Sequence, residues 1–312
     1  MKKKMFKIAG IVLSLVCGIL TVSFVNHRIR LKAEKKLLNP LGELVEVDGA
    51  NMSIYTEGEG ENTLVFMSGG GTCSPILDFK SLYSLLTNDY QIAVVEKFGY
   101  GFSDITNKSR DIDTILENTR SALQSAGIKP PYTLCPHSMS GIEALYWAQK
   151  YPGEVSAIIG LDMSVPKAYE ELKINVPILR LAQFGAAAGI TRFTNFSEGA
   201  AVQSGTLTEE EKKIYRALFY SRTLTDDMLN EISNIKESAE KVGGRDLPQI
   251  PILMFCSDGS GGTGFTEEKW RKIQSDFAKS CGADVIYLDC GHYVHDYEYE
   301  KIAKEIKNFP NQ

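Results

Sequence analysis

The sequence predicts an α/β protein: a mostly parallel central sheet with helices on both faces and a helical cap inserted after the sixth strand. Three observations carry that expectation. Short apolar runs alternate with helical stretches up to residue 161 and again after residue 252, which implies right-handed crossovers and a largely parallel sheet. The alternation stops between Ser164 and Gly244. The run Tyr132-Thr133-Leu134-Cys135-Pro136 ends in a turn of small residues, and a good helix former begins at once.

At the N-terminus, Met1-Lys2-Lys3-Lys4-Met5-Phe6-Lys7 precedes Ile8 to Val25, 18 residues without a charge. That is about long enough to cross a hydrocarbon core as a helix. No small-x-small cleavage site follows, since the run ends Thr21-Val22-Ser23-Phe24-Val25-Asn26-His27, and Val16 before Cys17 does not fit a lipoprotein signal. Residues 1–36 are therefore read as an uncleaved single-pass anchor with a basic flank, and residues 37–312 as the main domain. Lysines flank one side and Arg28, Arg30, Lys32, Lys35 and Lys36 the other, so the positive-inside rule is nearly balanced. A short N-terminus before a large domain favours an extracytoplasmic domain.

Residues 1–36 carry nine Lys or Arg and one Glu; with a net charge of −5 overall, that leaves −13 on the rest. An acidic body argues against nucleic acid, whose binding depends on neutralised phosphates. The body's cysteines (Cys73, Cys135, Cys256, Cys281, Cys290) show neither CxxC nor metal-type spacing. Cys135 and Cys256 read as small core residues, and a Cys281–Cys290 bridge is left open.

Glu43–Val47 alternates, turns at Asp48-Gly49 and resumes at Met52–Thr56, a hairpin. Thr63–Met67 is continuously apolar, as a strand buried on both faces would be, and empties into Ser68-Gly69-Gly70-Gly71. A helix is expected over about 75–86, a strand over 91–95, and a helix over 111–126 closed by Gly127. Further strands follow at 155–161, 252–256 and 284–288. Between the first two of these, residues 177–188, 208–220 and 226–242 read as helices, a cap of about 164–245 over the sheet edge where α/β proteins bind ligands.

A serine at a strand-turn-helix corner is held with its hydroxyl exposed beside a helix N-terminus, a nucleophile's setting. Small residues are needed two positions to either side. Ser138 has Pro136 and Ser140 there, whereas Ser140 would have the branched Ile142. Ser138 is the better candidate, with Ser140 readable as an ordinary helix cap. Only His137, His292 and His295 lie in the body. His137 adjoins the serine and should project away from it, so the base is His292 or His295, and His292, at the strand-loop transition, is preferred. One oxyanion donor would be the N–H of Met139, and the glycine run offers Gly70 as the second.

These motifs resemble the α/β-hydrolase-fold serine hydrolases over essentially residues 40–310. Gly99-Tyr100-Gly101-Phe102-Ser103-Asp104 is similar to the family's Gly-x-Gly-x-Ser segment, chiefly structural there. Pro136-His137-Ser138-Met139-Ser140-Gly141 resembles its elbow, and Gly291-His292 its terminal histidine motif. Ser68 stands where the family usually has His, and Pro136 and Ser140 where it has Gly. The resemblance implies a carboxylate to orient the histidine. Its usual position, counted from Pro251, falls on Ser260, which cannot serve; Asp258 lies two residues early. Some relatives place the acid before the cap, where Asp162 stands, and Asp162 is preferred.

The expectation is a membrane-anchored serine hydrolase cleaving a small or lipid-like ester through Ser138, His292 and Asp162, with no metal or organic cofactor implied. A proline iminopeptidase-like aminopeptidase would instead need carboxylates facing the site, such as Glu170, Glu171 or Glu198. A catalytically inactive, membrane-tethered binding module of the same fold is the third reading.

Overall fold

The computed structural model describes residues 2–309; Met1 and residues 310–312 lie outside them. Helix α1 (Lys2–Glu34) carries the whole apolar N-terminal run, and the hairpin β1 (Glu43–Val47) and β2 (Ala50–Glu57) turns at Asp48-Gly49 as expected. Strand β3 (Thr63–Met67) leads to two short helices, α2 (Pro75–Asp78) and α3 (Lys80–Tyr83), where one longer helix is expected. Then come β4 (Gln91–Glu96), α4 (Ile112–Ser125), β5 (Tyr132–Pro136), α5 (Ser140–Lys150) and β6 (Val155–Leu161).

Five helices follow without a strand: α6 (Pro166–Glu171), α7 (Val176–Ala187), α8 (Ala200–Gln203), α9 (Glu209–Arg222) and α10 (Asp226–Gly243). The chain closes with β7 (Ile252–Cys256), α11 (Glu267–Cys281), β8 (Asp284–Tyr287), α12 (Val294–Tyr297) and α13 (Tyr299–Asn308). Side chains of the N-cap residues Asp111, Thr208, Thr225 and Thr266 each accept from a backbone N–H in the first turn, satisfying donors the helix leaves free.

The eight strands form one sheet in the order β1-β2-β4-β3-β5-β6-β7-β8; β1 and β2 run antiparallel to their neighbours and the rest are parallel. The continuous apolar strands are explained by the two cores. Val65, Met67, Ala93 and Val95 face one cluster with α4, α5 and α10; Leu64, Phe66, Ile92 and Val94 face the other with α3 and α13. Period-two alternation buries both sets, at about 1.5–3 kcal/mol for each large side chain.

Helix α10 is no loose flap. Ile235, Ala239 and Val242 join the first core, and its Glu231 bonds the Lys97 ammonium and, at 3.0 Å, the Tyr100 hydroxyl. Lys97 also meets Glu143 of α5 at 2.6 Å. Burial works against the Lys97 charge, but the two carboxylates outweigh it and raise its pKa.

The C-terminal part of α1 docks on the helices between β6 and β7. Ser23 Oγ donates to Ala188 O (2.7 Å), and the Arg192 guanidinium holds both oxygens of Glu34 (2.8 and 2.7 Å) and donates to His27 Nδ1 (2.8 Å). Gly189 has φ +78°, and a Cβ there would stand 2.5 Å from that of His27; only glycine permits the approach. All six cysteines, Cys281 and Cys290 included, are free thiols.

Candidate active site

Strands β3, β5, β6 and β7 end side by side, and the sequence-predicted residues gather at that edge. Ser138 occupies the three-residue corner His137-Ser138-Met139 between β5 and α5 with φ +54°, a region costly for a residue with a Cβ and often retained where function requires it. The corner is pinned by its neighbours: His137 N donates to Met67 O (2.9 Å), and Ser164 N donates to Ser138 O (2.7 Å). The Ser140 hydroxyl serves the same corner, meeting Met67 O at 2.6 Å and His137 O at 2.8 Å. Ser138 itself remains half-buried.

The glycine loop after β3 lies directly on this elbow. A Cβ at Gly69 would sit 2.8 Å from Ser138 Cβ, and one at Gly70 would sit 2.8 Å from Met139 Cε. A side chain at Gly69 would press on the elbow itself, whereas one at Gly70 would meet only the flexible end of the Met139 side chain.

Asp162 directly follows β6 and is fully buried, with φ +49°. Its Oδ2 lies 2.5 Å from His292 Nδ1 and accepts from Ser257 Oγ at 2.7 Å. Its Oδ1 accepts from Ser257 N and Trp270 Nε1, each at 2.8 Å. Four partners fill the acceptor capacity of an ionised carboxylate. Asp258 instead closes its own loop, Oδ1 accepting from Ser260 N at 2.8 Å. The structure therefore brings Asp162, and not Asp258, to His292. Ser257 and Trp270 had no recognisable signal in the sequence, since neither belongs to a motif.

His292 is positioned by its backbone, N donating to Ser260 O at 2.8 Å. With Nδ1 held by a carboxylate, the imidazole leaves Nε2 to exchange protons with a hydroxyl. His137 stands behind it, Nε2 at 3.1 Å from His292 O and rings 4.6 Å apart. Burial, with repulsion from His292 and His295, holds the His137 pKa well below the usual range, so it is a neutral packing residue. His295 pairs with Asp78 at 3.0 Å in the core. The three acids that could have met a substrate ammonium are each held by a base: Glu170 by Lys167 (2.5 Å), Glu171 by Lys269 (2.7 Å) and Glu198 by Arg216 (2.6 Å).

Residues 62–299 match the family model described as alpha/beta hydrolase fold. The chain belongs to that family. A Bacillus subtilis (strain 168) relative, the uncharacterised protein YbdG, is 37% identical over 311 residues, covering 96% of this chain and 95% of its own. The cis-3-alkyl-4-alkyloxetan-2-one decarboxylase of Shewanella oneidensis is 22% identical, covering 84% and 86%. Among solved structures, a Bacillus megaterium epoxide hydrolase superposes with a TM-score of 0.67 at 17% identity, covering 86% of this chain and all of that one; at this identity the likeness concerns the fold.

Proposed function

We propose that this hydrolase cleaves a carboxylic ester through a serine acyl-enzyme. Ser138 Oγ attacks the carbonyl carbon while His292 takes its proton, and Asp162 holds the Nδ1–H tautomer and stabilises the imidazolium. The N–H groups of Gly70 and Met139 receive the oxyanion. Collapse breaks the ester C–O bond, with His292 returning the proton to the alcohol. A water, deprotonated by His292, then attacks the acyl-enzyme and releases the acid and free Ser138. No metal is used in these steps.

The observation that carries this reading is the Asp162–His292 contact at 2.5 Å at the strand edge that bears the Ser138 corner. The substrate is a small or lipid-like ester, and α1 anchors the chain in a membrane: the helix has the length and composition for it. A peptidase reading finds no support in Glu170, Glu171 and Glu198, all paired with bases.

The test is labelling of the full chain with a fluorophosphonate probe. Labelling that disappears in Ser138→Ala is the expected result. No labelling of the folded wild type, or labelling that survives in Ser138→Ala, would overturn the mechanism in favour of an inactive binding module.

A further inference from the structure

The helices between β6 and β7 expose large apolar side chains on one side. Leu181 is 69% exposed, Phe193 72% and Phe196 71%, and Ile178, Phe184 and Ile190 are exposed as well. On α7, Arg180 pairs with Asp226 at 2.8 Å and Gln183 donates to Leu224 O at 2.9 Å, while Ile178, Leu181 and Phe184 are left bare. An exposed apolar surface of this kind marks an interaction site.

The position of α1 identifies what covers it. Phe193 lines one shallow apolar cleft together with Leu15, Gly18, Ile19 and Val22 of the anchor. Those residues lie inside the uncharged run Ile8–Val25, which at 1.5 Å per residue is about 27 Å long and must be used nearly whole to cross a hydrocarbon core of about 30 Å. A membrane placed to cover that run therefore also covers Phe193. The Ser23–Ala188 bond and the Arg192–Glu34 pair tie the segment to α1 at this height.

We infer that the apolar face of α7 and the segment 190–196 is seated in the lipid bilayer. This rests on the anchored-hydrolase reading above. A second apolar cleft of 400 Å³, lined by Ala186, Ile190, Phe196, Phe219 and Thr223 among others, opens beside this face. Its Thr223 is in contact with Cys73 (Oγ1 to Sγ, 3.8 Å), two residues beyond the Gly71 of the oxyanion loop.

The experiment uses the full chain reconstituted in phosphatidylcholine vesicles with and without brominated acyl chains, with single substitutions Leu181→Trp, Phe193→Trp, Ile11→Trp and Tyr287→Trp. All four positions are exposed, and the native Trp147 and Trp270 are buried and give a constant background. Leu181→Trp, Phe193→Trp and the anchor control Ile11→Trp should be quenched several-fold more than Tyr287→Trp on the far edge strand. Quenching at Ile11→Trp with Leu181→Trp and Phe193→Trp no more quenched than Tyr287→Trp overturns the seated face and leaves the anchor intact. No quenching at Ile11→Trp overturns the anchor, and the inference with it.

Discussion

Trp270 Nε1 donates to Asp162 Oδ1 at 2.8 Å, on the carboxylate oxygen opposite the one that meets His292. Together with Ser257 N on the same oxygen, it fixes the plane of the carboxylate. A hydrogen bond to a charged group contributes about 1.5–3 kcal/mol. Trp270→Phe removes the donor together with a small part of the buried ring volume. It should lower kcat about 10- to 100-fold with KM nearly unchanged, measured on a chromogenic ester. An unchanged kcat would show that Ser257 alone orients the carboxylate.

Asp162→Asn and Asp258→Asn separate the two acids considered from sequence. The first should lose about 10⁴ in kcat, because an amide no longer fixes the histidine tautomer. The second should stay near wild type, since Asn can cap the same loop. Comparable losses in both would remove Asp162 from its assigned role.

Glu96, at the end of β4, gives a pH dependence. It is fully buried, and burial pushes its pKa from 4.5 up to about 7, against hydrogen bonds such as that from Phe102 N. Between those values the folded chain holds a proton that the unfolded chain has lost, so stability falls as pH rises. The contribution is complete below about pH 4.5 and is lost as pH climbs through about 7, at most about 3 kcal/mol. Denaturant melts from pH 4.5 to 8 should show wild type losing stability relative to Glu96→Gln. Parallel curves would contradict the shift.

The fold was legible because both periods were strong. The continuous runs 63–67 and 252–256 are buried on both faces, and that is why they lack alternation. Ser138 was legible for a local reason: a strand, a corner and a helix are all written within ten residues. Asp162 was harder, because its partner lies 130 residues away and only the folded sheet decides which aspartate meets the histidine. The docking of α1 was not legible at all. Arg192 and Glu34 are 158 residues apart, and Arg28 to Lys36 read simply as a basic border to the apolar run.

Asp162 comes before the five helices that separate β6 from β7, and so does Ser138, 24 positions earlier. Only His292 has to be carried across them. In the proposed mechanism acid and serine are thus delivered by the adjacent strands β5 and β6. The insert is not free to change throughout, since α10 is built into the core through Ile235, Ala239 and Val242. Helix α7 and the segment 190–196, whose large side chains are exposed, are where length and sequence can drift while the proposed chemistry stays in place.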